Sequence, residues 1–291
     1  MADAEQFLAV ADGARIAYRA WRPAAARGAI ALLHGLASNA TRWSEFAAQT
    51  ALRADWALLR LDLRGQGRSR WYGRTGMREW CGDLAAVLDA EGCARAVVGG
   101  HCLGANIALE FARRHPARAA GLLLVEPMPR AALTGPVRRA AQLRPLLLAA
   151  ALAVRAANAL GLRRRRLAPL DLEALDRETR AALAQGAAGE ARLARYASPI
   201  ADLRSTATGA YLQALAAVGG ALPDLAAIRA PALALLSARG AFTDTARVRA
   251  ALAALPDCEI AELDARHWIP TEQPEAMRAA VERWIARRFP P

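Results

Sequence analysis

The sequence has no lysine, few cysteines and histidines, and no apolar run long enough to cross a membrane. All 39 basic residues are arginine, against 27 acidic residues, which gives a formal net charge of +12. The longest apolar stretch, residues 146–162, contains Arg155 and Asn158 and falls short of the ~20 residues that a spanning helix needs. The first residues are acidic, where a secretory signal would be basic. We therefore expect a cytoplasmic protein.

The scarcity of cysteine and histidine argues against metal sites and disulfide frameworks. Cys81, Cys93, Cys102 and Cys258 form no Cys-x-x-Cys pair, and only four histidines accompany them. The four arginines at 163–166 lack interleaved aromatic residues, which is typical of a solvated helix end or loop. We expect no metal, no cofactor and no nucleic-acid partner. The positive net charge is compatible with peripheral contact with an anionic membrane surface. The sequence does not indicate the oligomeric state.

Short apolar runs alternate with helical patterns in two parts of the chain. Two strands of a hairpin are predicted at residues 7–10 and 16–18, buried strands at 29–33, 56–61, 96–98 and 121–126, and further strands at 232–236 and 259–263. Helical patterns between them predict a mostly parallel sheet that is covered on both faces. Residues 129–220 interrupt this alternation with an Ala/Leu/Arg-rich helical segment, broken at Pro145, Pro169 and Pro199. We predict an α/β core of residues 1–128 and 221–291 with a helical cap of residues 129–220.

The most informative motif is Gly100-His101-Cys102-Leu103-Gly104, between a predicted strand and a predicted helix. Small residues on either side of a nucleophile relieve crowding at a sharp strand-to-helix turn and leave its side chain exposed above the sheet edge. A thiolate there also faces the positive end of the following helix. A buried structural cysteine beside a glycine-rich turn is the alternative interpretation. The spacing does not fit the Gly-x-Gly-x-x-Gly of a dinucleotide loop.

Three further segments follow predicted strands in a recognisable order: His34-Gly35, residues 62–69, and residues 266–276 with His267. With them the chain resembles the α/β-hydrolase superfamily over nearly its whole length. More narrowly, it resembles the capped, cofactor-free esterase, lipase and dehalogenase-like branch. That family usually carries serine at the turn, so Cys102 is a departure, one that resembles dienelactone hydrolases and polyhydroxyalkanoate synthases. The former lack a cap, and the latter are longer.

The resemblance implies a site and a reaction. Cys102 would be the nucleophile and His267 the general base, on the loop after the last strand. The backbone N–H groups of Leu36 and Leu103 would form the oxyanion hole, while His34 would be a structural turn residue. The expected activity is hydrolysis of an ester, thioester or lactone, with a hydrophobic small-molecule acyl substrate. An acyltransferase using the same acyl-enzyme and a non-catalytic ligand-binding protein are the alternatives.

The acid of the triad is ambiguous in the sequence. The usual family position falls near Gly240, where no carboxylate is found. Glu126 ends a predicted strand at a place where some haloalkane dehalogenases carry their acid. Asp244 follows Gly240 by four residues but also fits the start of a helix, where an acid simply caps. We favour Glu126 over Asp244; a Cys–His pair can also work without a strict acid, because thiols ionise easily.

Overall fold

The computed structural model describes residues 3–185, 189, 193 and 196–290, and its described strands form one eight-stranded sheet. The strand order is β1-β2-β4-β3-β5-β6-β7-β8. β2 pairs antiparallel with both β1 and β4. The remaining pairs, which join β3 to β8 in the order β4-β3-β5-β6-β7-β8, are all parallel. The strands are β1 Ala4–Ala9, β2 Arg15–Trp21, β3 Gly28–Leu33, β4 Trp56–Leu61, β5 Ala96–His101, β6 Ala119–Val125, β7 Ala232–Ser237 and β8 Cys258–Leu263.

Helices cover both faces of this sheet, so the predicted fold class is confirmed. The described α-helices are α1 Ser44–Gln49, α2 Met77–Ala90, α3 Leu103–Arg114, α4 Gly135–Gln142, α5 Arg144–Ala159, α6 Leu172–Leu183, α7 Pro199–Ser205, α8 Thr208–Val218, α9 Thr245–Leu252, α10 Ile269–Glu272 and α11 Pro274–Arg288. Residues 186–188, 190–192, 194 and 195, which fall within the predicted cap, lie outside the described residues.

Alternation along the strands divides the core between the two faces of the sheet. In β3, Ala29, Ala31 and Leu33 belong to one buried cluster, whereas Ile30 and Leu32 belong to the other. This is the two-residue period of a strand whose side chains are buried on both sides. The first cluster includes Trp80 and Leu84 of α2 and Phe111 of α3, and the second includes Phe46 of α1 and Trp284 of α11.

Five of the described helices, α4 to α8, lie between β6 and β7 and are called the inserted helices below. Pro145 and Pro199 stand in the first turns of α5 and α7, so they begin helices, since the first turn needs no N–H donor. Ala214 and Val218 of α8 belong to the first core cluster, which ties this helix to the sheet. In the described part of the chain no single helix is long and apolar enough to cross a membrane; α4 and α5 reach that length only as a pair bent by 71°.

Candidate active site

Cys102 occupies a strained turn between β5 and α3. Its backbone has φ 55° and ψ −115°, a region that side-chain-bearing residues rarely adopt. A Cβ atom on Gly100 would lie 2.2 Å from the carbonyl carbon of Gly104, and one on Gly104 would lie 2.4 Å from the carbonyl oxygen of Leu33. Both positions therefore require glycine. The Cys102 N–H donates to the carbonyl of Val125 at 2.9 Å, which anchors the turn to the neighbouring strand.

His267 and Glu126 form a buried hydrogen-bonded pair beside this turn. Nδ1 of His267 lies 3.1 Å from Oε2 of Glu126, and their side chains are 4% and 3% exposed. The other carboxylate oxygen, Oε1, accepts the N–H of Ser237 at 2.5 Å. Glu126 follows β6 directly and has φ 52°, so its strained backbone turns it away from the strand direction. The carboxylate thus occupies Nδ1 and leaves Nε2 of His267 for the thiol.

The protonation of His267 follows from these two partners. Burial alone would lower the pKa of His267, but its interactions with the Cys102 thiol and the Glu126 carboxylate outweigh burial and raise the pKa to about 9. A histidine with that pKa is protonated at neutral pH and favours a negative charge on its partners. The arrangement is able to hold a thiolate next to an imidazolium.

Glu272 holds the loop that carries His267. Its Oε1 accepts the backbone N–H groups of Arg266, His267 and Trp268 at 3.1, 3.1 and 2.9 Å. Glu272 ends the short helix α10, so one carboxylate ties three consecutive donors of the loop to the helix that follows. The sequence analysis assigned no role to Glu272, because a contact between a side chain and the backbone of a loop leaves no motif.

The loop after β3 faces the turn that carries Cys102. A Cβ atom on Gly35 would lie 3.2 Å from Cβ of Cys102, so the two backbones approach closely. Leu103 is the first residue of α3, where an N–H has no partner within its helix. The hydrogen bonds of the described residues likewise include no acceptor for the N–H of Leu36. The N–H groups of Leu36 and Leu103 thus have no acceptor among the described residues, and Leu36 lines the same cavity as Cys102.

The other two buried histidines are held in fixed neutral forms. Nε2 of His34 accepts the N–H of Leu63 at 2.9 Å and Nδ1 donates to the carbonyl of Gly35 at 2.8 Å, while burial lowers the pKa of His34 to about 3. His34 therefore fastens two loops together. Nε2 of His101 donates to the carbonyl of His267 at 2.9 Å, and burial holds the pKa of His101 well below its usual value.

Asp244 has a different environment from Glu126. It precedes α9, and its Oδ1 accepts the N–H of Arg247 at 3.0 Å, as a helix N-cap does. Its side chain is 42% exposed and pairs with Arg247. The hydrogen bonds of the described residues give it no link to His267. Gly240 lies in a tight loop, where a Cβ atom would lie 2.3 Å from the carbonyl oxygen of Thr243.

A cavity of about 550 Å³ opens onto Cys102 and His267. The inserted helices supply a mainly apolar wall, whose aliphatic members include Val137, Ala140, Leu172, Leu175, Leu215 and Val218. Phe242 also lines the cavity, with its ring centroid 4.8 Å from that of His267. A polar group, Asp202, lies among these side chains, and burial raises its pKa to about 7.

A buried ion pair joins the core to the inserted helices at the cavity wall. Nη1 of Arg42 lies 2.7 Å from both carboxylate oxygens of Asp176 on α6, and the two side chains are 4% and 5% exposed. Thr271 and Tyr196 complete the network through hydrogen bonds to Arg42 and Asp176. Sequence reasoning missed this network because Arg42 is 134 residues from Asp176 and 229 residues from Thr271 in the chain.

The remaining cysteines differ from Cys102 in their surroundings. Burial raises the pKa of the Cys81 thiol to about 12 and that of Cys258 to about 11, and it also raises the pKa of Cys93. Thiols of this kind react slowly at neutral pH. In the portion of the chain that the structure describes, no three His, Cys, Asp or Glu side chains form a group able to hold a metal ion.

The sheet order and the strained turn after β5 define an α/β-hydrolase fold. The family model described as serine aminopeptidase, S33, matches residues 24–274, so the chain belongs to this family. The family is named after serine, whereas this chain has a cysteine, Cys102, at the turn after β5.

Solved structures agree with that assignment over the whole length. A hydrolase from Pseudomonas aeruginosa PA01 is 25% identical with a TM-score of 0.69, covering 99% of this chain and 98% of that one. The enol-lactonase from Burkholderia xenovorans LB400 is 22% identical with a TM-score of 0.71, covering 97% and 100%.

Curated relatives are similar over shorter segments. Epoxide hydrolase B of Mycobacterium tuberculosis is 36% identical over 97 residues, which are 32% of this chain and 27% of that protein. An uncharacterized protein of the same organism is 35% identical over 111 residues, which are 37% of this chain and 31% of that protein. The match thus spans less than a third of the length of these relatives.

Proposed function

We propose that the protein is a cofactor-independent hydrolase that cleaves an ester, thioester or lactone through an acyl-Cys102 intermediate. The observation that carries this proposal is the alignment of three groups: a thiol on a strained turn, an imidazole beside it, and a buried carboxylate 3.1 Å from the far nitrogen of that imidazole. A carboxylate in this position fixes the orientation of the ring and stabilises the imidazolium. The role of this acid goes to Glu126, because Asp244 is engaged as a helix cap.

The chemistry proceeds in two halves. In the resting pair the proton of Cys102 has already passed to His267, and the thiolate sulfur attacks the acyl carbonyl carbon while the N–H groups of Leu36 and Leu103 stabilise the oxyanion. The bond to the leaving group breaks, and His267 returns the proton to it. In the second half His267 takes a proton from water, the hydroxide attacks the thioester, and the Cys102 thiolate leaves as the acid is released.

The substrate class follows from the cavity wall. Aliphatic side chains from α4, α6 and α8 surround the approach to Cys102, and a volume of about 550 Å³ accommodates a medium-sized acyl group. We assign residues 129–220 the role of a cap that selects this group. The substrate is then a hydrophobic small molecule that carries an acyl group.

The experiment is turnover on a panel of p-nitrophenyl esters and acyl thioesters of increasing chain length, in the wild type and in two variants. Cys102→Ala should abolish turnover, whereas Cys102→Ser should retain measurable esterase activity, because the turn and the oxyanion donors are unchanged. Full activity in Cys102→Ala would refute the proposal. Adding a competing alcohol or thiol reveals acyl transfer by the appearance of its ester or thioester.

Alkylation separates a reactive thiol from an inert one independently of substrate choice. Iodoacetamide at neutral pH should label Cys102 well before Cys81 and Cys258, and His267→Ala should slow the labelling of Cys102 selectively. Equal, slow labelling of all cysteines would support the non-catalytic alternative. Peptide mapping distinguishes the sites, and the buried Cys81 is the internal reference.

A further inference from the structure

Helix α5 presents an apolar face to solvent. Leu146 and Leu152 are 65% and 62% exposed, and the other exposed positions of the helix after Arg144 are Pro145, Leu148, Ala149, Ala150, Ala153, Ala156 and Ala159. No charged or polar side chain stands among them. The opposite face packs on α8, where a Cβ atom on Gly209 would lie 3.3 Å from Val154. A helix of a monomeric protein has the reverse distribution, so this face is suited to an apolar partner.

The segment around this helix carries positive charge alone. Residues 127–170 contain nine arginines and no aspartate or glutamate. Arg138 and Arg139 of α4 and Arg144, the first residue of α5, are exposed before the apolar face, and Arg163 to Arg166 are exposed beyond the end of α5. Between them, Leu160 and Leu162 are 81% and 74% exposed. The apolar face is thus bordered at both ends by arginines that have no carboxylate within the segment.

We propose that α5 docks on an anionic lipid surface, with its leucines at the acyl boundary and the flanking arginines on the headgroup phosphates. An apolar helical face that is bordered by basic side chains is the pattern of helices that lie in the membrane interface. The 16 residues of α5 give a contact about 24 Å long. Charge complementarity favours this occupant over a second copy of the chain, which would bring two sets of nine arginines together.

The docked face lies one helix away from the cavity. Tyr211, Leu215 and Val218 of α8 line the cavity, while Gly209 of the same helix contacts α5. Docking would therefore hold the cavity close to the lipid headgroups. The proposal does not depend on the hydrolytic function, because binding is measured without turnover.

The test is flotation of the full chain with vesicles of phosphatidylcholine alone and of phosphatidylcholine mixed with phosphatidylglycerol. The wild type should float with the anionic vesicles only. Leu146→Gln/Leu152→Gln should weaken this binding at least about tenfold, because two exposed leucines no longer enter the interface. Both positions are solvent-exposed, so the variant should keep the wild-type Tm.

The role of charge is tested with two triple variants that each remove three positive charges, at different places in the chain. Arg163→Gln/Arg165→Gln/Arg166→Gln should weaken binding roughly a hundredfold, at about one factor of five for each arginine near the surface. Arg164 is kept because it donates to the carbonyl of Thr206 at 3.0 Å. The control, Arg95→Gln/Arg229→Gln/Arg283→Gln, removes exposed arginines outside the segment and should bind almost as the wild type does.

Three results would overturn the proposal. The first is no flotation with anionic vesicles. The second is an equal loss in the two triple variants, which would mean that net charge alone drives binding. The third is a dimer in solution that Leu146→Gln/Leu152→Gln dissociates without any change in vesicle binding, which would assign the face to a second copy of the chain.

Discussion

Glu126 and His267 meet through a 3.1 Å contact between Oε2 and Nδ1, although 141 residues separate them in the chain. The Ser237 N–H holds the second carboxylate oxygen at 2.5 Å, so the acid is fixed between the ends of two neighbouring strands. The carboxylate therefore approaches the imidazole from the side opposite Cys102, as an orienting acid must.

The two candidate acids should respond differently to neutralisation. Glu126→Gln should lower kcat strongly, because the ring of His267 loses its negatively charged partner. Asp244→Asn should leave kcat close to the wild type and lower stability by up to ~1 kcal/mol, since only a helix cap is affected. Steady-state kinetics and thermal unfolding of both variants measure this. A larger loss of kcat in Asp244→Asn would assign the acid to the loop after β7.

The raised pKa of His267 makes stability depend on pH. Its folded pKa of about 9 lies above the ordinary histidine value of 6.5, so its stabilising contribution is fully present below pH 6.5 and is lost as the pH rises through 9. The difference in unfolding free energy between the wild type and His267→Gln should shrink over this window by about 3 kcal/mol. Urea denaturation at a series of pH values measures it. Parallel curves for the two proteins would contradict the raised pKa.

The glycines of the turn should tolerate no side chain. Gly100→Ala brings a methyl group to 2.2 Å from the Gly104 backbone, so we expect a loss of about 3 kcal/mol or more in unfolding free energy. Gly82→Ala is the matched control, since that site within α2 has no atom within 4 Å of the added methyl group. It should stabilise the protein by ~0.5–1 kcal/mol. Equal effects in the two variants would disprove the crowding at the turn.

The buried pair of Arg42 and Asp176 should be costly to break. Asp176→Ala leaves the guanidinium buried without its counter-charge, which should cost about 3–5 kcal/mol of unfolding free energy. The exposed pair of Arg249 and Glu262, with side chains 49% and 42% exposed, is the comparison. Glu262→Ala should change stability by less than about 0.5 kcal/mol. Similar losses in both variants would mean that burial does not set the strength of the Arg42 pair.

Strand and helix positions were predictable because each depends on local patterns. The glycines around Cys102, the apolar runs of the strands and the start of α3 at Leu103 are all readable from neighbouring residues. The prolines marked breaks in the helical segment, but the sequence did not show whether Pro145 and Pro199 would end one helix or begin the next; both stand in the first turn of a helix. A proline is compatible with both roles, and only the surrounding packing decides between them.

Contacts between distant residues could not be read from the sequence. The choice between Glu126 and Asp244 depends on which carboxylate reaches His267, and both have plausible local contexts. The clamp of Glu272 on the His267 loop and the pair of Arg42 with Asp176 depend on packing between elements. No local periodicity records such contacts.

The covalent intermediate is the central claim, and rapid-quench mass spectrometry of the intact protein with a p-nitrophenyl ester tests it most directly. The account predicts that the mass rises by one acyl group within the first turnover, and that peptide mapping locates this group on Cys102. Cys102→Ala should show neither the adduct nor turnover. Turnover without an adduct in the wild type, continuing unchanged in Cys102→Ala, would contradict the account.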